Sequence, residues 1–208
     1  MSPHPPLLIA ISGPSSTGKT TLTRHLQAIF SQPPPPPRLH QDDFFRTDLE
    51  IPISSESGVQ DWDCPAAIDW DRLVHALREL KRTGVLDGVD SFEDLVQFDK
   101  GSGGVEEGVV EGCRGRVVRE LGFGEGGDRD GDVGGLALVE GFLMFVEERV
   151  MEVLDVKIFL RGRYEIVKRR REGRSGYDTI EGLFSFFLHF TASGGLLLTG
   201  GFFFCVGW

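Results

Sequence analysis

Apolar and polar positions alternate along this chain in blocks that predict a β/α succession. Leu7-Leu8-Ile9-Ala10-Ile11-Ser12 is a short apolar run suited to a buried parallel strand. Leu22, Leu26 and Ile29 recur at helical spacing behind it, so a helix is expected from about Lys19 to near Phe30. Pro33 to Pro37 cannot continue that helix, because proline lacks the N–H donor. The proline run reads as a stiff surface connection, with an SH3-type ligand as the alternative. Leu39 to Gln41 predicts a short strand. Asp69 reads as an N-cap, and Leu73, Leu77 and Leu80 line one face of a helix reaching about Thr83, with Gly84 just beyond.

From Gly84 to Gly135 the pattern dissolves. More than half of the chain's 28 glycines fall there among many acidic residues, and a flexible surface insertion is expected, with a brief element at Val117 to Leu121. Order returns in the run Leu136 to Phe145, interrupted by Glu140, and in Val156 to Leu160, both strand-like. A helix is expected from Tyr164. From Leu183 to Trp208 there is no Asp, Glu, Lys or Arg.

A chain of 208 residues fits one domain with a sizeable core. Its formal charge of −10 argues against a general partner role with nucleic acid or anionic membranes. Cys64, Cys113 and Cys205 show neither metal-ligand spacing nor a disulfide framework. The first residues lack the basic and apolar regions of a signal peptide, so a reducing, cytoplasmic setting is expected.

Onto this β/α frame the sequence places a phosphate loop. Gly13-Pro14-Ser15-Ser16-Thr17-Gly18-Lys19-Thr20 matches G-x-x-x-x-G-K-[ST], between the first strand and the first helix as the motif requires. Its glycines let backbone N–H groups turn toward phosphate oxygens, and the helix N-terminus adds a positive dipole end. Gly13, Ser15, Ser16, Thr17, Gly18, Lys19, Thr20 and Thr21 are the expected nucleotide-binding residues. Lys19 is expected to reach the β- and γ-phosphates, and the Thr20 hydroxyl to bind Mg²⁺.

Asp42 and Asp43 directly follow a strand and precede Phe44 and Phe45. The carboxyl edge of an α/β sheet is where ligands bind, so Asp42 is the candidate to orient the attacking hydroxyl; a solvated turn is the alternative. Trp62 stands between Asp61 and Asp63, either as a stacking platform for a flat ring, with Asp63 bonding sugar hydroxyls, or as a half-exposed residue packing beside the next helix. Glu140 ends an apolar run, where an unpaired buried carboxylate would be costly, and it is the candidate to sit near Mg²⁺ opposite Thr20. Arg161, Arg163, Lys168, Arg169, Arg170, Arg171 and Arg174 form the one basic cluster of an acidic chain. It reads as a lid over the nucleotide phosphates, with a solvated basic helix or a small nucleic-acid patch as alternatives.

Taken together, Ile11 to Leu22, Gln41-Asp42-Asp43-Phe44-Phe45, Gln60-Asp61-Trp62-Asp63, Val139-Glu140-Gly141-Phe142-Leu143 and Tyr164 to Arg171 resemble the nicotinamide riboside kinases, within the uridine-kinase-like P-loop kinases. The resemblance covers roughly residues 7 to 182 apart from the insertion. It implies an α/β P-loop kinase fold, a parallel sheet with helices on both faces and a basic lid. It implies ATP and nicotinamide riboside as substrates, with Mg²⁺ as cofactor, and nicotinamide mononucleotide for NAD salvage as product. Asp42 and Lys19 are then catalytic, together with Arg170 from the lid. Arg169 joins the nucleotide site, while Phe45, Trp62, Asp63 and Tyr177 join Asp42 in the acceptor site. Tyr177 falls about one residue from the family's second stacking aromatic. A uridine- or cytidine-type nucleoside kinase, and an impaired nucleotide-binding product, are the alternatives.

The match stops after Gly182. Residues 1–182 are therefore read as the kinase domain, with its insertion at about 84–135, and 183–208 as an atypical apolar tail standing where the family continues with a polar segment. A truncated or misread C-terminus is the expectation, with the sheet losing its last element; a membrane anchor is not expected.

Overall fold

The computed structural model describes residues 5–30, 35–86, 105–121, 135–173 and 202–207. Its frame is a five-stranded sheet, all parallel, in the order β2-β3-β1-β4-β5. The strands are β1 (Leu7–Ser12), β2 (Arg38–His40), β3 (Leu136–Gly141), β4 (Val156–Arg161) and β5 (Phe202–Gly207). The chain leaves β1 toward β2 at one edge and returns through β3 to build β4 and β5 on the other side. The loops after β1 and β3 therefore flank the point where strand order reverses, which is where such sheets bind ligands.

Strand alternation explains how β3 can be wholly buried and still carry a carboxylate. Ala137 and Val139 join Leu8 and Ala10 of β1 in a core with Leu73, Val74, Leu77 and Leu80 of α2 (Trp70–Thr83). Leu138 and Glu140 face the other way, toward α1 (Lys19–Ile29), whose Thr23 hydroxyl bonds Glu140. A strand with helices on both sides reads as continuous apolar sequence, and its one acid stands out.

The expected start and stop signals are in place. The Asp69 side chain accepts from the Arg72 N–H at 3.1 Å. Gly84 closes α2 in the left-handed region at φ 73°, donating to the Leu80 carbonyl. The described end of the proline stretch is stitched into the fold, as a stiff connection would be. Pro36 accepts from Gln27 Nε2, and Pro37 accepts from the Leu138 N–H. β2 ends one residue earlier than expected, and Gln41–Phe44 turns into a 3₁₀ helix. Between β3 and β4, α4 (Glu148–Val153) buries Val150 and Met151. At the opposite edge of the sheet, Asp155 accepts from the Leu8 N–H at 2.7 Å and pairs with Lys81.

Two expectations are corrected. The tail does not leave the sheet short: Phe202–Gly207 pairs parallel with Val156–Arg161 along its whole length. An uncharged run such as Phe-Phe-Phe-Cys-Val carries no alternation to mark it as a strand. Its pairing is decided by the open edge of β4.

In the insertion, the brief element expected at Val117 to Leu121 is present but starts ten residues earlier. Glu107–Leu121 forms α3, and its Arg114 guanidinium donates to the Ala28 carbonyl in the last turn of α1 at 3.1 and 2.7 Å. A glycine-rich helix is poor on intrinsic propensity, and docking on a neighbour offsets that cost. Added methyl groups at Gly108 and Gly112 would meet open space. Gly108→Ala and Gly112→Ala are each expected to raise stability by about 0.5–1 kcal/mol, seen as a higher denaturation midpoint with unchanged turnover. Among the described residues no helix is long and apolar enough to cross a membrane.

Candidate active site

The loop between β1 and α1 is shaped from within. The Pro14 carbonyl accepts from the Thr17 hydroxyl at 2.7 Å and from Lys19 Nζ at 3.1 Å. Thr17 is fully buried, so its side chain braces the loop from inside. Ser16 (φ 64°) and Gly18 (φ 91°) adopt left-handed backbone that turns the chain into the first turn of α1. Gly13 lies so close to β4 that a Cβ would stand 2.4 Å from the Leu160 carbonyl oxygen. Ser15 and Thr20 are half-buried and Thr21 is exposed.

Asp42 occupies the 3₁₀ turn after β2. One face of it is open to solvent, yet it stands deep enough among protein atoms that desolvation raises its carboxyl above the usual range. Lys19 opposes that rise, Glu140 reinforces it, His40 opposes it and Asp43 adds to it. Those influences place the aspartate, the loop lysine and the β3 glutamate in one electrostatic neighbourhood.

Glu140 is held on both sides. Its Oε1 lies 2.8 Å from His40 Nδ1, and its Oε2 accepts from the Thr23 hydroxyl at 3.3 Å. The turn after it is braced by Gln41, fully buried, whose Oε1 accepts from the Leu143 N–H at 2.8 Å. Gln41 packs so tightly on Gly141 that a Cβ there would meet it at 2.4 Å. This explains Gly141, which admits the glutamine.

The surroundings of Phe45 and Trp62 are aromatic and acidic. Phe45 meets Trp62 edge-on, with centroids 5.4 Å apart, and stacks on Phe142 at 5.9 Å. Beside Trp62, desolvation raises the Asp63 carboxyl above its usual range, against the pull of Arg171 and Lys19 and with a push from Asp61. Arg171 Nη2 lies 3.8 Å from Asp63 Oδ2.

Arg171 belongs to α5 (Tyr164–Glu172), anchored by buried Val167. Arg169 and Arg170, the arginines expected at the phosphates, lie on exposed positions of that helix, while Arg171 is turned inward. Tyr177 and Arg174 fall outside the described residues. The structure thus brings Lys19, Asp42, Asp63 and Glu140 into one electrostatic neighbourhood, with the Phe45–Trp62 pair beside Asp42 and Asp63 in the chain. Sequence reasoning did not single out His40, Gln41 or Phe142 as site residues, and it placed Arg171 in the basic cluster without foreseeing its pairing with Asp63. Only Arg171 carried a signal, as the member of the basic run that falls four residues after buried Val167.

Comparison with known proteins follows the same lines. The chain is 30% identical over 176 residues to the nicotinamide riboside kinase of Schizosaccharomyces pombe, spanning 85% of this chain and 70% of that protein. The chain belongs to the nicotinamide riboside kinase family. A second member of that family, the nicotinamide riboside kinase of Saccharomyces cerevisiae, is 29% identical over 182 residues, covering 84% and 68% of the two chains. The model of the phosphoribulokinase / uridine kinase family matches residues 8–89, which hold the phosphate loop, Asp42 and Asp63. A uridine kinase of Chlamydia pneumoniae is 26% identical over 154 residues, 74% of this chain and 57% of that protein. The chain is thus a nucleoside kinase of the P-loop type, within the nicotinamide riboside kinase family.

Proposed function

We propose that this chain transfers the γ-phosphoryl group of ATP to the 5′-hydroxyl of nicotinamide riboside, giving nicotinamide mononucleotide for NAD salvage. The observation that carries the choice of acceptor is the aromatic pair Phe45–Trp62 beside two carboxylates, Asp42 and Asp63. A cationic pyridinium is attracted both by an aromatic face and by nearby negative charge. A neutral pyrimidine gains only the stacking.

In this reading the loop N–H groups and Lys19 hold the β- and γ-phosphates. Asp63 holds ribose hydroxyls, with Arg171 fixing its carboxylate. Asp42 orients the 5′-hydroxyl for in-line attack on the γ-phosphorus. As the new P–O bond forms, the bond to the β–γ bridging oxygen breaks and ADP leaves. The hydroxyl proton passes to Asp42, whose raised pKa suits it to hold one. The basic helix would close over the phosphates and exclude water, with Arg169 and Arg170 available to move inward.

Mg²⁺ would neutralise charge on the phosphate oxygens. The donor set fits it: the Thr20 hydroxyl and the Asp42 and Glu140 carboxylates are all hard oxygen donors. Among the described residues no three His, Cys, Asp or Glu side chains converge as a cage, which suits an ion carried mainly by phosphates and water. Glu140 Oε2 accepts from Thr23 while Oε1 has no hydrogen bond among the described residues, so the carboxylate would meet the ion directly or through water.

The test is ADP release with Mg-ATP and nicotinamide riboside, uridine or no acceptor, with nicotinamide mononucleotide identified as product. Turnover with the riboside above that with uridine supports the proposal; turnover with uridine alone overturns it. Trp62→Ala is expected to raise KM for nicotinamide riboside by about 5- to 150-fold, the loss of about 1–3 kcal/mol of ring stacking, with KM for ATP unchanged.

A further inference from the structure

Three buried side chains behind the cleft have no part in the mechanism above beyond the acid itself. His40 is 3% exposed, Glu140 4% and Thr23 1%. They come from three different elements: His40 from the last position of β2, Glu140 from β3 and Thr23 from the second turn of α1. Strand register sets His40 directly beside Glu140, and its Nδ1 lies 2.8 Å from Glu140 Oε1. The Thr23 hydroxyl shares its one proton between the other oxygen at 3.3 Å and the Lys19 carbonyl at 3.0 Å, in the first turn of α1. The carboxylate is therefore tied to the helix that carries Lys19 and Thr20 on one side, and to the strand that delivers Asp42 on the other.

We propose that His40 is a positioning residue for phosphoryl transfer: packed 2.8 Å from Glu140 Oε1, opposite the Thr23 bond to Oε2, its buried ring limits where the Glu140 carboxylate stands relative to Asp42 and Thr20. A buried carboxylate bonded at one oxygen alone can rotate about its terminal torsion, and a buried ring packed 2.8 Å from the other oxygen restricts that rotation. Groups that orient the residues near a metal ion typically change affinity or activity by about 10- to 100-fold when removed. The inference rests on reading the cleft as a phosphoryl-transfer centre, and is independent of which nucleoside accepts the group.

The test compares His40→Leu, which keeps bulk without a donor, with His40→Asn, whose amide can place an N–H near the Nδ1 position. Both are made in the full chain and assayed with the acceptor the wild-type protein uses best. His40→Leu is expected to lower kcat by about 10- to 100-fold and to raise the Mg²⁺ concentration for half-maximal rate, leaving KM for the nucleoside within about twofold. His40→Asn is expected to recover most of both. Binding of Mn²⁺ in the presence of ADP, followed by electron paramagnetic resonance, gives a readout without turnover, and it is expected to weaken in His40→Leu and recover in His40→Asn. A soluble His40→Leu protein with wild-type kcat and Mn²⁺ affinity, altered only in melting temperature, would overturn the proposal, as would equal losses in the two variants. If the wild-type chain turns over no nucleoside, the proposed function fails, and the Mn²⁺ comparison alone decides the role of His40.

Discussion

Asp42→Asn is expected to abolish most turnover while making the folded protein more stable at neutral pH. The loss follows from the position of Asp42 on the turn after β2, within the electrostatic reach of Lys19 and Glu140. Removing a positioned acceptor of the hydroxyl proton lowers kcat by about 10²- to 10⁴-fold. ATP binding, measured by calorimetry, should stay within about threefold, since in the proposed function the loop and Lys19 hold the phosphates. The gain in stability follows from the direction of the pKa shift. Desolvation raises the Asp42 carboxyl in the folded state, so the protonated form folds more favourably than the ionised one. The wild-type protein is thus penalised above the folded-state pKa and escapes the penalty below the unfolded-state value. Melting curves for the two proteins should be apart near pH 7, with the variant higher, and should converge as pH falls through the acid range. A variant that is less stable at neutral pH would show that Asp42 is held by favourable contacts and is not strained by its site.

Gly13→Ala is expected to damage the protein more than any other methyl addition considered for the described residues. The backbone there has φ 143°, which L side chains rarely adopt, and the new Cβ would lie 2.4 Å from the Leu160 carbonyl oxygen. Strain of this type costs about 1–3 kcal/mol, and forcing a methyl into a packed site costs about 1–3 kcal/mol more. Their sum is a large share of a typical domain's stability of about 5–15 kcal/mol. The neighbour cannot yield cheaply, because it is backbone of β4. Denaturant unfolding should show the loss, and the soluble fraction should bind ATP poorly because the loop has moved. Gly108→Ala, in open space on α3, is the matched control.

The parts of this molecule that were legible in the sequence are those whose signal is local. The phosphate loop is contiguous and sits between its strand and helix. α2 announces itself through Asp69, the Leu73–Leu77–Leu80 face and Gly84. Glu140 stands out because its strand is otherwise apolar. What stayed hidden depends on partners distant in the chain. His40 acquires meaning only when β2 and β3 pair in register, and Gln41 only when Gly141 lies against it. Within Lys168 to Arg171 the sequence shows four cations, while the phase of α5 decides that Arg171 meets Asp63. β5 and α3 are cases of neighbours overriding weak local preference: an open strand edge recruits an unpatterned apolar run, and the end of α1 seats a glycine-rich helix.

The parallel order of the sheet also governs how the chain is made. β1 emerges from the ribosome early, but its neighbours are β3 and β4, so Leu7 cannot meet Leu136 until most of the protein has been synthesised. Closing so long a loop costs little in equilibrium terms, because that cost grows only with the logarithm of its length. The burden is kinetic: pairing between distant segments is slow, and an apolar strand without partners is open to association with other nascent chains. The insertion lengthens that interval, and its described element is the helix α3. In the living cell, then, the yield of this kinase should be set by how well β1 is shielded while β3 is awaited, more than by the stability of the finished fold.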